Sequence, residues 1–330
     1  MHIKIDDTAK DQRFDRFLRK YFKPYGEIRL SDIFSWIRKW AIKVNMRKQK
    51  ENYRLQRWDV VAWDDSIVTD LNAKDAKRSK KEKILHYPLE DAKQIILQEN
   101  TNWLIFNKPP RLVMHPGTKH GHDLSLHDIM KSYLLQTEQQ LASETFHPSF
   151  CFRLDKDTSG VVIAAKTYEA LQSLNEQIRE RKTNKTYVAV VLWTAPDQWT
   201  IEAPLFKWFD RASWKAKMFI NKQKWVEAKT SFTTKKYRDH PVLWPISLIE
   251  VELYTWRMHQ IRIHMASLWH PILWDITYWD APSNRITNKE LQIHRQLLHS
   301  RKYWFFDIFK DTRTSITTDI PEQFTALFTP

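Results

Sequence analysis

Glycine is nearly missing from this chain, with four in 330 residues against about 7% in an ordinary globular protein. A fold of this length contains many turns and helix ends that favour a residue free to take φ > 0, so some other residue type must stand at most of them. Cysteine is scarcer still. Cys151 is alone, which excludes an internal disulfide and fits a reducing compartment. No apolar run reaches the roughly 18 to 20 residues of a membrane helix. The start Met1-His2-Ile3-Lys4-Ile5-Asp6-Asp7 has no apolar signal-peptide core. These absences predict a cytoplasmic chain that spans no membrane. Thirteen histidines are present, but none falls in a His-Glu-x-x-His pattern or a Cys/His pair, so no metal site is expected. Ser159 lacks a Gly-x-Ser-x-Gly elbow, which argues against a serine nucleophile.

Tryptophan is in excess, at sixteen residues. The tryptophans follow neither a helical nor a strand period, as a clustered base-stacking surface would require. Several stand where turn chemistry asks for a small residue, as in Leu55-Gln56-Arg57-Trp58-Asp59-Val60-Val61 and Leu268-Trp269-His270-Pro271-Ile272-Leu273-Trp274-Asp275. An indole at φ > 0 is strained. Pooled, tryptophan and glycine come close to the usual share of glycine alone. The expectation is that many of these positions are glycine in the native molecule, encoded by UGA in a genetic code that reads UGA as glycine.

Lysine and arginine outnumber aspartate and glutamate by 53 to 39, a net charge of +14 carried along the whole length. That charge suits a phosphate-rich partner, and nucleic acid foremost. An apolar content of 42% excludes a disordered chain, and 330 residues suffice for one large core and a small satellite domain.

Residues 1–65 have a pattern of their own. Phe14, Phe17, Leu18 and Tyr21 recur at helical spacing, and a second helix carries Ile33, Phe34, Ile37 and Arg38. Short strands follow at Ala41-Ile42-Lys43-Val44-Asn45 and Asp59-Val60-Val61-Ala62-Trp63. Residues 66–88, with Lys74, Lys77, Arg78, Lys80, Lys81 and Lys83, read as a basic linker. From 89 to 330, short β-branched and aromatic runs alternate with a few helical segments. This predicts an α+β domain with a mixed, mainly antiparallel sheet.

The most informative stretch is Phe152-Arg153-Leu154-Asp155-Lys156-Asp157-Thr158-Ser159-Gly160, which leads straight into Val161-Val162-Ile163-Ala164-Ala165. It places one arginine and one aspartate in a hydroxyl-rich turn before an apolar strand, which makes Asp155 a candidate nucleophile. The segment closely resembles the Arg-Leu-Asp-x-x-Thr-Ser-Gly signature of the RluA-type pseudouridine synthases, although Phe152 stands where that family commonly has histidine. Further matches are Phe106-Asn107-Lys108-Pro109-Pro110, His115-Pro116-Gly117, Asn184-Lys185-Thr186-Tyr187, Trp256-Arg257-Met258-His259-Gln260-Ile261-Arg262-Ile263-His264, His270-Pro271-Ile272-Leu273-Trp274-Asp275 and Leu297-Leu298-His299. At Trp193, Trp256, Trp269, Trp274 and Trp279 the family prefers glycine.

The resemblance implies an isomerase that acts on a uridine flipped out of folded RNA and uses no cofactor. It gives Asp155 the nucleophilic or base role and associates Arg153 with the flipped-out conformation. Tyr187 would stack on the uracil, and Arg262 is the candidate counter-charge for Asp155. The segment around Arg262 is expected as a strand whose alternation puts Gln260 and His264 on its face. The first 65 residues are similar to a small αL-motif RNA-binding domain first recognised in a ribosomal protein, in which Trp40 and Trp58 replace usual glycines. Its candidate RNA contacts are Arg38, Lys39, Lys43, Asn45, Arg47 and Lys48. The stretch Val44–Leu55 looks most like the RluC-type branch, which implies large-subunit (23S) ribosomal RNA as partner; a monomer is expected. A transfer-RNA pseudouridine synthase and a non-catalytic ribosome-assembly factor are the alternatives.

Overall fold

The computed structural model describes the chain apart from residues 26, 27, 29, 77–86, 117–123, 139–145, 211–214, 221–225, 280, 281 and 330. It begins with strand β1 (His2–Lys4), helices α1 (Phe14–Tyr21) and α2 (Leu30–Arg38), strands β2 (Ile42–Val44) and β3 (Val60–Trp63), and helix α3 (Asp65–Ala76). β3 lies between β1 and β2 in a three-stranded antiparallel sheet. The apolar stripe of α1, with Phe14, Phe17 and Leu18, packs with Ile33 and Ile37 of α2 and Val44 and Val61 of the sheet. Ile67, Val68 and Leu71 of α3 join the same cluster. The stretch 66–88, expected as a linker, therefore opens as a helix. Three apolar residues among polar neighbours were too few to show a period. Residues 77–86, with most of its lysines, lie outside the described residues.

The remainder comprises α4 (Leu89–Gln94), β4 (Ile96–Glu99), β5 (Trp103–Lys108), α5 (Leu126–Gln136), β6 (Ser149–Phe150), β7 (Ser159–Ala165), α6 (Tyr168–Arg179), β8 (Asn184–Leu192), β9 (Gln198–Glu202), β10 (Leu205–Asp210) and β11 (Lys215–Ile220). These are followed by β12 (Lys229–Arg238), β13 (Ile246–Leu253), α7 (Gln260–Ser267), α8 (Pro282–Leu291), β14 (Leu298–Asp307), β15 (Thr312–Thr317) and α9 (Glu322–Thr325). Ten strands form one sheet in the order β4-β5-β7-β14-β8-β13-β12-β9, with β15 on β14 and β6 on β7. Its pairings are antiparallel except that of β7 with β14, so the class is α+β with a mixed, mainly antiparallel sheet. β10 and β11 pair as a separate hairpin.

β7 is buried along its whole length because both sheet faces are covered there. Val162 and Ala164 face a core containing Leu104, Phe106 and Tyr187, while Val161, Ile163 and Ala165 face another with Ile105, Tyr303 and Phe305. Gly160 has φ 111°, and a Cβ there would lie 2.1 Å from the Ser300 carbonyl oxygen. The parallel register Ser300↔Gly160 is therefore open to glycine alone. Ser300 also pairs with Tyr187 on β8. This crossing brings the segment ahead of β7 beside Tyr187.

Five of the residues other than glycine at positive φ are tryptophans: Trp40 (61°), Trp58 (73°), Trp193 (62°), Trp269 (62°) and Trp274 (64°). Trp40 and Trp269 stand just past the ends of α2 and α7. After α2, Trp40 N–H donates to Ile37 O and Ala41 N–H to Trp36 O; after α7, Trp269 N–H donates to Ala266 O and His270 N–H to Met265 O. This bond pair closes a helix through a left-handed residue that is usually glycine. Trp58 and Trp274 are third residues of turns closed by Asp59 N–H to Gln56 O and Asp275 N–H to Ile272 O, a position that calls for glycine when only it has φ > 0. Trp256 and Trp279 do not have positive φ.

Candidate active site

The segment before β7 is extended, so its side chains alternate. Phe152 and Leu154 are buried, Arg153 is exposed and Asp155 is partly exposed. Phe152 stacks on Tyr303 (5.0 Å between centroids) and so serves the core, on the side opposite Asp155. The loop then turns, with Thr158 N–H donating to Asp155 O. It is held from beneath by Lys108, whose Nζ donates to Pro109 O (2.9 Å), Leu112 O (2.8 Å) and Lys156 O (2.9 Å). Burial pulls the Lys108 pKa down to about 7. Three carbonyls nonetheless take all three ammonium protons, so the group is charged when these bonds are made. Gln296 Nε2 donates to Thr158 Oγ1 at 3.1 Å, fixing the far end of the loop.

Arg262 reaches Asp155 from a helix, which corrects the strand expected for Trp256–His264. Gln260–Met265 are all buried in α7, and a helix buried all round shows no amphipathic period. Gln260 and His264 consequently do not share the face of Arg262. Gln260 bonds Lys229 O and Thr255, while His264 bonds Thr230 Oγ1 and Ala203 O. Arg262 Nη1 donates to Asp155 Oδ2 at 2.9 Å, while Nε and Nη2 grip Asp275 at 2.7 and 2.8 Å. Burial opposes the charge of Arg262, yet Asp275 and Asp155 push its pKa up. Asp275 also accepts the backbone N–H groups of Thr277 and Tyr278.

Asp275, His259 and Tyr278 were not singled out from the sequence. Asp275 lies thirteen residues beyond Arg262, and its signal was only its place in the quoted His270–Asp275 motif. His259 Nε2 is 3.7 Å from Asp155 Oδ2, and its Nδ1 is 2.8 Å from Tyr278 Oη.

Tyr187, on β8, lines the same cavity of about 40 Å³ as Arg153, Asp155, Trp256, His259 and Arg262. Burial pushes the Tyr187 pKa up, opposed by its bond to Ser300. The Trp256 indole lies directly over Lys185, 2.9 Å from Nζ to ring centroid. Lys185 is buried among Trp256, Phe152 and Tyr303, and burial lowers its pKa strongly. Among the described residues no group of three or more His, Cys, Asp or Glu is placed to hold a metal ion, and no helix is long and apolar enough to cross a membrane.

The other sequence candidates lie in the N-terminal unit, and none lines this cavity. Arg38, Lys39, Arg47 and Lys48 are exposed and Lys43 is half-buried. Asn45 has a different task. Its Nδ2 donates to Asp59 Oδ1 at 2.6 Å and its Oδ1 accepts Val60 N–H at 2.8 Å, so the carboxamide is committed to joining β2 to β3.

Comparison with known proteins shows the family. Residues 102–267 match the family described as RNA pseudouridylate synthase. The ribosomal large subunit pseudouridine synthase C of Buchnera aphidicola subsp. Baizongia pistaciae is 30% identical over 98% of this chain and 94% of its own length. The protein of the same name from Salmonella typhi is 31% identical over 90% of this chain and 87% of its own. Among solved structures, human RNA Pseudouridylate Synthase Domain Containing 4 shares the fold at a TM-score of 0.56 and 20% identity, covering 73% of this chain and 94% of that one.

Proposed function

The chain belongs to the RNA pseudouridylate synthase family, and on that premise we propose that it isomerises uridines of large-subunit ribosomal RNA with Asp155 as the reacting carboxylate. The reaction breaks the bond from N1 of uracil to C1′ of ribose, turns the base and joins C5 to C1′. C5 loses a proton and N1 gains one, so no electron carrier or energy source is needed. One observation carries the reading: Arg262 and His259 both approach Oδ2 of Asp155, which leaves Oδ1 without a protein donor among the described residues at a cavity lined by Tyr187. Oδ1 is then the oxygen that meets the nucleotide.

In this reading Arg153, exposed two residues from Asp155, fills the gap left by the extruded base, and Tyr187 stacks on the uracil. Arg38, Lys39, Lys43, Arg47 and Lys48 contribute phosphate contacts that position the RNA without reading its sequence. Ribosomal RNA is favoured because relatives bearing that substrate in their names align along nearly the whole chain, the N-terminal unit included. In this reading the working unit is a monomer. The test is tritium release from RNA labelled at C5 of uridine, with large-subunit ribosomal RNA and transfer RNA offered separately. Asp155→Asn should abolish release while RNA binding persists. Turnover by that variant refutes the role of Asp155, and release from transfer RNA alone refutes the substrate.

A further inference from the structure

His259 takes φ 55° and ψ 21° at the N-cap of α7, a left-handed conformation unfavourable for a residue with a side chain. Such strain persists where the surroundings over-determine it, often at functional sites. Here it turns the imidazole over Asp155. The ring is pinned from behind by Tyr278, whose Oη accepts the N–H of Met218 on β11 at 3.1 Å and lies 2.8 Å from His259 Nδ1.

That arrangement suits one tautomer of the ring. Burial pushes the Tyr278 pKa up to about 12, so the phenol keeps its proton. With the Met218 N–H on one lone pair of Oη and the phenol proton directed at Nδ1, the ring's own proton sits on Nε2. Burial lowers the His259 pKa, with Arg262 acting in the same sense and Asp155 and Asp275 opposing, which favours a neutral ring, and its Nε2 faces Asp155. The 3.7 Å separation from Oδ2 is longer than a hydrogen bond. Catalytic hydrogen bonds commonly tighten once substrate is seated.

We propose that His259 is a positioning residue for Asp155: held as its Nε2–H tautomer by Tyr278, it fastens Oδ2 together with Arg262 and so presents Oδ1 to the nucleotide. This rests on Asp155 being the reacting carboxylate. A neutral donor serves this purpose because it orients the carboxylate without adding a second cation beside Arg262.

The experiment uses the full chain and tritium release from a large-subunit ribosomal RNA transcript labelled at C5 of uridine. It compares the unmodified protein with His259→Leu, His259→Gln, Tyr278→Phe and Asp155→Asn, with unfolding midpoints measured for each. His259→Leu should lower kcat by about 10- to 100-fold, as expected when a reacting group loses its alignment, and leave KM for RNA unchanged. His259→Gln restores an N–H near the place of Nε2 and should recover most of the rate, and Tyr278→Phe should fall between. A normal kcat for His259→Leu beside an inactive Asp155→Asn would overturn the proposal. So would a His259→Gln variant as slow as His259→Leu at an equal unfolding midpoint. If Asp155→Asn itself turns over, the reading of Asp155 fails, and this proposal with it.

Discussion

Replacing Trp269 by glycine should stabilise the protein, while replacing it by alanine should not. Trp269 sits at φ 62° just past α7 with 71% of its surface exposed. A left-handed conformation costs an L-residue about 1–2 kcal/mol. Glycine escapes that cost, offset by about 0.5–1 kcal/mol of backbone entropy lost on folding. The indole's edge-to-face contact with Trp279, at 6.1 Å, opposes the change only weakly at such exposure. The net gain should be about 0.5–1 kcal/mol. Trp40 is comparable, since Lys43 and Lys48 lie 5.9 and 5.8 Å from its ring, at the limit of a useful cation–π contact. Trp58 should gain less, because Lys4 at 4.2 Å and Arg57 at 4.6 Å engage its ring. The sites are separate and the effects should add, to about 2 kcal/mol for the triple glycine variant. Urea unfolding followed by circular dichroism measures this directly. Alanine removes the indole but keeps a Cβ at φ > 0. If alanine stabilises as much as glycine, the indole and not the backbone is at fault; if glycine destabilises, the strain argument is wrong.

Peptides from the native source covering Trp40, Trp58, Trp193, Trp256, Trp269, Trp274 and Trp279 should carry the mass of glycine, with UGA in the gene; UGG codons there end that idea. Asp275→Asn should destabilise the protein by about 1–3 kcal/mol, because Arg262 loses its charge-assisted bonds to Asp275 while Asp155 still faces it, and should lower turnover because Arg262 is no longer anchored where it meets Asp155. Normal unfolding and normal tritium release would show that Asp275 does neither. His299 is buried between Ser159 Oγ and Thr318 Oγ1, and burial lowers its pKa from 6.5 to about 4. The unfolded chain then binds the extra proton first as pH falls, so His299 should weaken the fold progressively from pH 6.5 to 4, by up to about 3 kcal/mol. His299→Gln should flatten that part of the stability profile, and an unchanged slope would refute the assignment.

The α+β class and the place of Asp155 in a turn ahead of an apolar strand were legible in the sequence, because both are local. Short β-branched runs report strands, and the Arg153–Gly160 segment carries its turn, its arginine and its aspartate within eight residues. The strain at Trp58, Trp269 and Trp274 was legible for the same reason, since turn chemistry is written over four residues. Helix α7 was not, for burial on every side erases the period by which a helix is read, and Gln260 and His264 were consequently assigned to the wrong face. Nor was the grip of Asp275 on Arg262, the clamp of Lys108 beneath Lys156, or the line from Met218 through Tyr278 and His259 to Asp155. These contacts join residues far apart in the chain, and a sequence records what each side chain can do but not which other one it meets. Only the crossing of β7 and β14 at Gly160, which places the Asp155 segment against β8, decides that Asp155, Tyr187 and Arg262 share one cavity.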